Sequence, residues 1–242
     1  VGDAGSAVGA GFLVSSLLGH VAKDTRYLKN EISFLGPQFT NTEISSVLRS
    51  VDGPTVPYQT GELLDRVVDD LIQGRVVGWF QGRMEFGARA LGSRSILADA
   101  ANPGIQEQLN RKIKYRESFR PFAVILLEED LQDYFNLNQP SPYMSRIMPV
   151  KSDKIPGVTH IDKTARIQTE NIKQNEKFYR VIEGFYKSTG IPMVLNTSFN
   201  CREPIVETPE QAINTFNKTE LDMVVINGHK TITYNFKFNN YS

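Results

Sequence analysis

Eight basic side chains crowd one stretch of the chain, residues 82–122: Arg83, Arg89, Arg94, Arg111, Lys112, Lys114, Arg116 and Arg120. Only four acids accompany them, Glu85, Asp99, Glu107 and Glu117. Small residues (Gly82, Gly87, Ala88, Ala90, Gly92, Ser93, Ser95) sit among the early arginines. Guanidinium forks grip phosphate oxygens bidentately, and glycines let backbone N–H groups approach them. The matching ligand is a compact polyanion such as a nucleotide or an acyl phosphate. Basic residues on surface loops are usually only solvated, and charge alone favours that plainer reading. A second stretch, Asn196-Thr197-Ser198-Phe199-Asn200, shifts the balance.

These residues need elements to bring them together. Val76–Phe80 reads as a buried strand running straight into the glycines and arginines. Ile191–Leu195 reads as another, running into the Asn-Thr-Ser-Phe-Asn stretch. In open α/β sheets ligands bind where strands end and the following loops splay. If the two strand ends are neighbours, guanidiniums face hydroxyl and amide groups across a crevice. Ser198 and Asn200 fall on one side if the strand continues, and Lys114 and Arg116 do likewise if extended. Arg120 precedes Pro121 and is forced out of helical geometry.

The remaining pattern is strands alternating with helices. Val1–Gly5 reads as a turn, followed by an apolar helix from Ala7 to His20 with Val8, Phe12, Leu13, Leu17 and Leu18 on helical spacing. Ile32–Leu35 predicts a short strand, and Asn41-Thr42 the cap of a helix bearing Ile44, Val47 and Leu48. Residues 52–57, DGPTVP, form the strongest linker signal, and the domain boundary is expected there. Thr60 opens an amphipathic helix whose inward residues are Leu63, Leu64, Val67, Val68, Leu71 and Ile72, with Gly74 as its stop. Asn102-Pro103 starts a helix to about Lys114. Strands follow at 122–127, 143–150 and 165–169. A helix spans 176–189, with Phe178, Val181, Ile182, Phe185 and Tyr186 inward. Thr208 caps a helix over 209–216, and a hairpin turns at Asn227-Gly228. The fold class is α/β with a mixed, twisted sheet and flanking helices.

Lys+Arg and Asp+Glu are both 27, so the net charge is zero and a long duplex nucleic-acid footprint is disfavoured. The one cysteine, Cys201, rules out an internal disulfide and makes a reducing, cytoplasmic setting the expectation. No run is apolar and long enough to cross a bilayer. Residues 6–19 loosely resemble a signal core but have Asp3 in front instead of a basic flank. The first residue is Val, and the chain is read as a piece of something longer. His20, His160 and His229 show no metal-ligand spacing, and Cys201 reads as a bystander.

Five blocks in order carry a resemblance: GRMEFGARALGSRSILAD, LNRKIKYRESFRPFA, HIDKTARIQT, PMVLNTSFN and EPIVETPEQAI. Together they closely resemble the carbamoyltransferase family of nodulation protein U and antibiotic O-carbamoyltransferases. The resemblance implies that 53–242 is a YrdC-like domain making carbamoyl adenylate from ATP and carbamoyl phosphate. It implies that 1–52 is the tail, plus linker, of an N-terminal actin/Hsp70-like acceptor domain. That domain would hold iron or another divalent metal and pass the carbamoyl group to a small-molecule hydroxyl. By position, Arg89, Lys114, Arg120 and Arg166 would grip carbamoyl phosphate and the nucleotide phosphates. Arg94, Arg116, Asn196, Ser198 and Asn200 would complete the nucleotide site. Mg²⁺ would accompany ATP, and Asp3 would be a metal ligand.

The chain departs from the family pattern at two places. Ala88 stands where proline is usual, which should loosen that loop. Asn200-Cys201-Arg202-Glu203-Pro204 lacks the usual glycine, which leaves the aim of Arg202 open. Two alternatives stand beside the carbamoyltransferase: a YrdC-like threonylcarbamoyl-adenylate synthase, and a non-catalytic nucleotide- or RNA-binding module.

Overall fold

Three short runs, Val77–Phe80, Arg94–Ala98 and Ala123–Leu127, are buried at every position. Strands of that kind need a layer on both faces. The computed structural model, which describes residues 2–20, 33–49, 55–56, 58–227 and 232–234, supplies those layers. Its strands are β1 (Thr55–Val56), β2 (Val77–Phe80), β3 (Arg94–Ala98), β4 (Ala123–Leu127), β5 (Arg146–Pro149), β6 (Thr164–Glu170), β7 (Met193–Ser198), β8 (Met223–Ile226) and β9 (Ile232–Tyr234). They form one sheet in the order β1-β9-β8-β2-β3-β7-β4-β6-β5. The pairs β2–β8 and β4–β6 are parallel and the rest antiparallel, giving the mixed α/β sheet expected from sequence.

The helices are α1 (Gly2–Leu17), α2 (Asn41–Arg49), α3 (Thr60–Ile72), α4 (Ile105–Lys112), α5 (Leu131–Tyr134), α6 (Glu176–Thr189) and α7 (Pro209–Lys218). The pleat sends alternate side chains to opposite layers. Trp79, Leu97, Ile125 and Val194 meet Leu63, Val67 and Leu71 of α3 and Phe178, Ile182 and Phe185 of α6. Phe80, Ile96, Val124 and Leu195 face the other way. There they pack with Ile105 and Leu109 of α4, Phe216 of α7, and Ile44 and Leu48 of α2. Residues 33–49, on the N-terminal side of the expected boundary, therefore share this core.

The helix ends follow from their caps. Thr208 and Gln211 form a reciprocal capping box at α7 behind Pro209. Asn175 accepts the Phe178 N–H at α6, and Gly190 closes that helix with φ 73°.

Several local expectations need correction. The backbone of residues 2–5 is helical instead of a turn. Phe12, Leu13 and Leu17 of α1, and Leu18 just after it, stay exposed. Residues 33–35 form turn and coil instead of strand, and Ile32 lies outside the described residues. Thr40, one residue earlier than expected, caps α2 by exchanging hydrogen bonds with Glu43. Ile72 and Tyr186 end up on solvent-facing sides. In the linker, 52–54 and 57 lie outside the described residues, while 55–56 pair with β9. The strand β3 was hidden because arginine and serine occupy buried positions in it.

Candidate active site

On the face that α3 and α6 cover elsewhere, apolar residues give way to polar ones at one end of the sheet. Register places Arg166 of β6 beside Ala123 of β4, and Ala123 beside Asn196 of β7. These three therefore lie in one row, with Arg166 and Asn196 about 10 Å apart. Ser198 follows Asn196 on the same side of β7, opposite Ser95 of β3. A cleft of about 420 Å³ opens over this row. Arg89, Arg116, Arg120 and Arg166 all border it, and so do Asn196 and Ser198. Among the described residues that line it there is no carboxylate.

The arginines come from four places. Arg166 stands on the sheet, where burial and the nearby Arg89 push its guanidinium pKa down. Arg89 is exposed on the loop between β2 and β3. Arg116 follows α4, its Nε donating to Asn110 Oδ1 at 2.7 Å and its guanidinium lying 4.9 Å from the centre of the Phe122 ring. Burial first, and Arg120 second, lower its pKa. Arg120 is half exposed and makes a long 3.9 Å ion pair to Glu117. Four like charges crowd one hollow, and among the described residues the acid paired with any of them, Glu117, does not line it. An anion entering it relieves repulsion as well as making contacts.

Lys114 approaches from the opposite layer. Because α4 packs on the far face, its ammonium reaches round the end of β7. It donates to the Ser198 and Asn200 carbonyls and, at 2.8 Å, to Asn200 Oδ1. Ser198 Oγ also donates to Asn200 Oδ1, at 2.8 Å. Lys114 is 5% exposed, and burial, with Arg116 adding to it, lowers its pKa to about 7. Lys114 and Asn200 thus stand behind Ser198 instead of on the cleft wall. The expected extended Lys-x-Arg pair is also corrected. Tyr115 between them takes a left-handed φ of 45°, which turns Lys114 and Arg116 to different partners.

Arg94 is the clear correction among the expected nucleotide ligands. It is fully buried and stacks 3.6 Å from the centre of the Phe80 ring. Its guanidinium donates to the carbonyls of Gln81, Gly82, Ser93 and Pro37. Burial lowers its pKa to about 10. Four carbonyls engage its Nη1 and Nη2 groups, so it braces the loop instead of facing the cleft. The Asp3 side chain lies outside the described residues. Among the described residues, no group of three or more His, Cys, Asp or Glu is placed to hold a metal ion.

Other residues were not singled out by sequence. Glu85, 4% exposed, accepts the backbone N–H groups of Leu91, Ser93 and Arg94 at 2.7, 2.7 and 3.2 Å. It folds the arginine–glycine loop around one carboxylate. Gln168 donates to the Leu91 carbonyl and accepts from Asn196, and Asn196 donates to the Ala90 carbonyl. This relay ties the loop to β6 and β7. His160 borders the cleft and contacts the Phe122 carbonyl at 3.3 Å. An acid inside a basic stretch is the one hint that marked Glu85. Burial pushes the Cys201 thiol up, in keeping with a bystander.

The family description "Carbamoyltransferase C-terminus" matches residues 68–232. Nodulation protein NolO of Bradyrhizobium diazoefficiens is 40% identical over 93% of this chain and 42% of its own length. Nodulation protein NolNO of Sinorhizobium fredii is 39% identical over 94% of this chain and 34% of its own length. The chain thus spans less than half the length of these relatives. Among solved structures, P. abyssi Sua5 complexed with L-threonine superposes with a TM-score of 0.51 at 13% identity. It covers 72% of this chain and 48% of that one, a likeness of fold. With one family description matching most of its length and nodulation proteins about 40% identical across nearly all of it, the chain belongs to the carbamoyltransferase family.

Proposed function

We propose that this chain binds ATP and carbamoyl phosphate in the arginine-walled cleft and forms carbamoyl adenylate, the first half of an O-carbamoyl transfer. The observation that carries the reading is the convergence of Arg89, Arg116, Arg120 and Arg166 on one hollow with Asn196 and Ser198, with no carboxylate among the described lining residues. Water cleaves carbamoyl phosphate to carbamate and inorganic phosphate. A carbamate oxygen then attacks the α-phosphorus of ATP. The bond from that phosphorus to the bridging oxygen breaks, and pyrophosphate leaves.

Charge on phosphate oxygens is what changes along that path, and pre-placed cations stabilise it without a covalent protein intermediate. Arg166 and Arg89, near enough to depress the Arg166 pKa, would hold one phosphate group. Arg116 and Arg120 would hold another. Ser198 would donate its hydroxyl proton to a phosphate oxygen on leaving Asn200. Lys114 would fix the Ser198–Asn200 loop and add positive potential from behind. Mg²⁺ would arrive on the phosphates of ATP, since the described residues of this wall offer it no carboxylate. Transfer to the acceptor hydroxyl would fall to a separate domain.

Incubation with ATP and carbamoyl phosphate, following AMP and pyrophosphate release, tests the proposal. Release that depends on carbamoyl phosphate supports it. Release only with bicarbonate and threonine would favour the threonylcarbamoyl-adenylate alternative, and nucleotide binding with no turnover would leave a binding module.

A further inference from the structure

The Lys114-Tyr115-Arg116 turn is held from a third side. Tyr115 is not glycine, yet its φ is 45°. A left-handed non-glycine residue is strained and persists only when its surroundings hold it. Arg202 supplies the hold. Its Nε and Nη2 both donate to the Tyr115 carbonyl, at 3.0 and 2.6 Å. Its guanidinium lies 5.7 Å from the centre of the Tyr115 ring. The ring hydroxyl in turn donates to the Lys218 carbonyl at 3.1 Å, at the end of α7.

Arg202 lies two residues beyond Asn200, on the loop that accepts the Lys114 ammonium. The two segments are therefore tied twice. Lys114 bonds to Ser198 and Asn200 in one direction. Arg202 bonds to Tyr115 in the other. Asn200 Nδ2 donates to the Glu203 carbonyl at 2.7 Å and closes the loop that carries Arg202.

We propose that Arg202 is a positioning residue: its fork on the Tyr115 carbonyl fixes the turn that sends Lys114 to Ser198 and Asn200 and Arg116 to the cleft. The inference deepens the proposed function, but the contacts it concerns exist without any substrate. Lys114 titrates low because it is buried, with Arg116 and the Cys201 thiol as its charged or titratable neighbours. Loss of the fork releases the turn, hydrates the ammonium and moves its titration back towards the ordinary lysine range.

The test is competitive acetylation of the protein with acetic anhydride between pH 6 and 11, reading the Lys114 peptide by mass spectrometry. In wild type the midpoint is expected near 7. Arg202→Ala is expected to raise it by at least about one pH unit, a tenfold change in proton affinity. Arg202→Lys keeps the charge but offers no fork, and is expected to raise it as well. Arg111→Ala, on the exposed side of α4, serves as the control and leaves it unchanged. If Arg202→Ala does not fold, Arg202→Lys is read alone. An unmoved Lys114 midpoint in a folded Arg202 variant overturns the proposal. No nucleotide enters the measurement, so its failure is separate from failure of the adenylate chemistry.

Discussion

Lys114 Nζ lies 2.8 Å from Asn200 Oδ1, although 86 residues separate the two in sequence. This bond joins the basic stretch after α4 to the polar end of β7, and it decides where Ser198 stands. Lys114→Met removes one donor from each of three acceptors, but Asn200 Oδ1 keeps the Ser198 hydroxyl and the Ser198 carbonyl keeps the Asn200 N–H, so the Asn200 carbonyl is the group left short. An unsatisfied part-buried group costs about 1–3 kcal/mol. The expected result is a loss of about 1–3 kcal/mol in urea unfolding, with carbamoyl-phosphate-dependent AMP formation falling about 100-fold or more.

Lys114 also predicts a pH dependence. Its folded-state pKa is about 7 against an ordinary 10.5. Between those values the unfolded chain holds a proton that the folded chain lacks, so this residue makes stability rise with pH across that window. The difference in unfolding free energy between wild type and Lys114→Met should therefore grow from pH 7 to pH 9. A difference constant over that range would contradict the buried ammonium.

Glu170 predicts the opposite trend. Burial, with Glu128 nearby, pushes its carboxyl up to about 8 from 4.5. The folded chain keeps a proton that the unfolded chain loses, so stability falls as pH climbs from about 4.5 to about 8. Glu170→Gln keeps an acceptor for the Asn171 N–H and removes the charge. It should be more stable than wild type at pH 8 and closely similar at pH 4, as read by denaturant midpoints.

The loop that presents Arg89 depends on Glu85. Glu85→Ala orphans the N–H groups of Leu91, Ser93 and Arg94. The expected cost is about 2–4 kcal/mol. Hydrogen exchange should rise first at those three amides, before global unfolding. Uniform exchange with no local loosening would show that Glu85 is not the brace.

Gly92 is irreplaceable for a different reason. Its φ is 112°, and a Cβ there would sit 2.3 Å from the Phe178 ring. Its carbonyl also accepts the Trp79 indole N–H at 2.8 Å. Gly92→Ala is expected to cost about 2–4 kcal/mol in thermal or urea unfolding, by combining backbone strain with overpacking.

Much of this architecture was legible in the sequence because buried strands and amphipathic helices leave periodic marks. The helix at 176–189 matched at both ends because its turn residues, Asn175 and Gly190, are also its caps. The cleft was legible as two chemistries, basic and hydroxyl–amide, at two strand ends. What was not legible depended on tertiary placement. Arg94 reads like any other arginine of its stretch, and only the sheet shows it buried under carbonyls. Glu85 looked like a stray acid, because the three amides it binds are brought near only by the folded loop. Tyr115 gave no sign of a left-handed turn, since the arginine that holds it lies 87 residues away.

The central claim is that this cleft is an anion site built from both halves of the chain, and titration of ATP into wild type and Arg166→Ala by calorimetry addresses it most directly. Arg166 borders the cleft yet forms no part of the hydrophobic core, so its loss should spare the fold. The account predicts saturable binding by wild type, weakened about 10- to 100-fold in the folded variant. Equal affinity in the two proteins, or no binding by wild type, would contradict it.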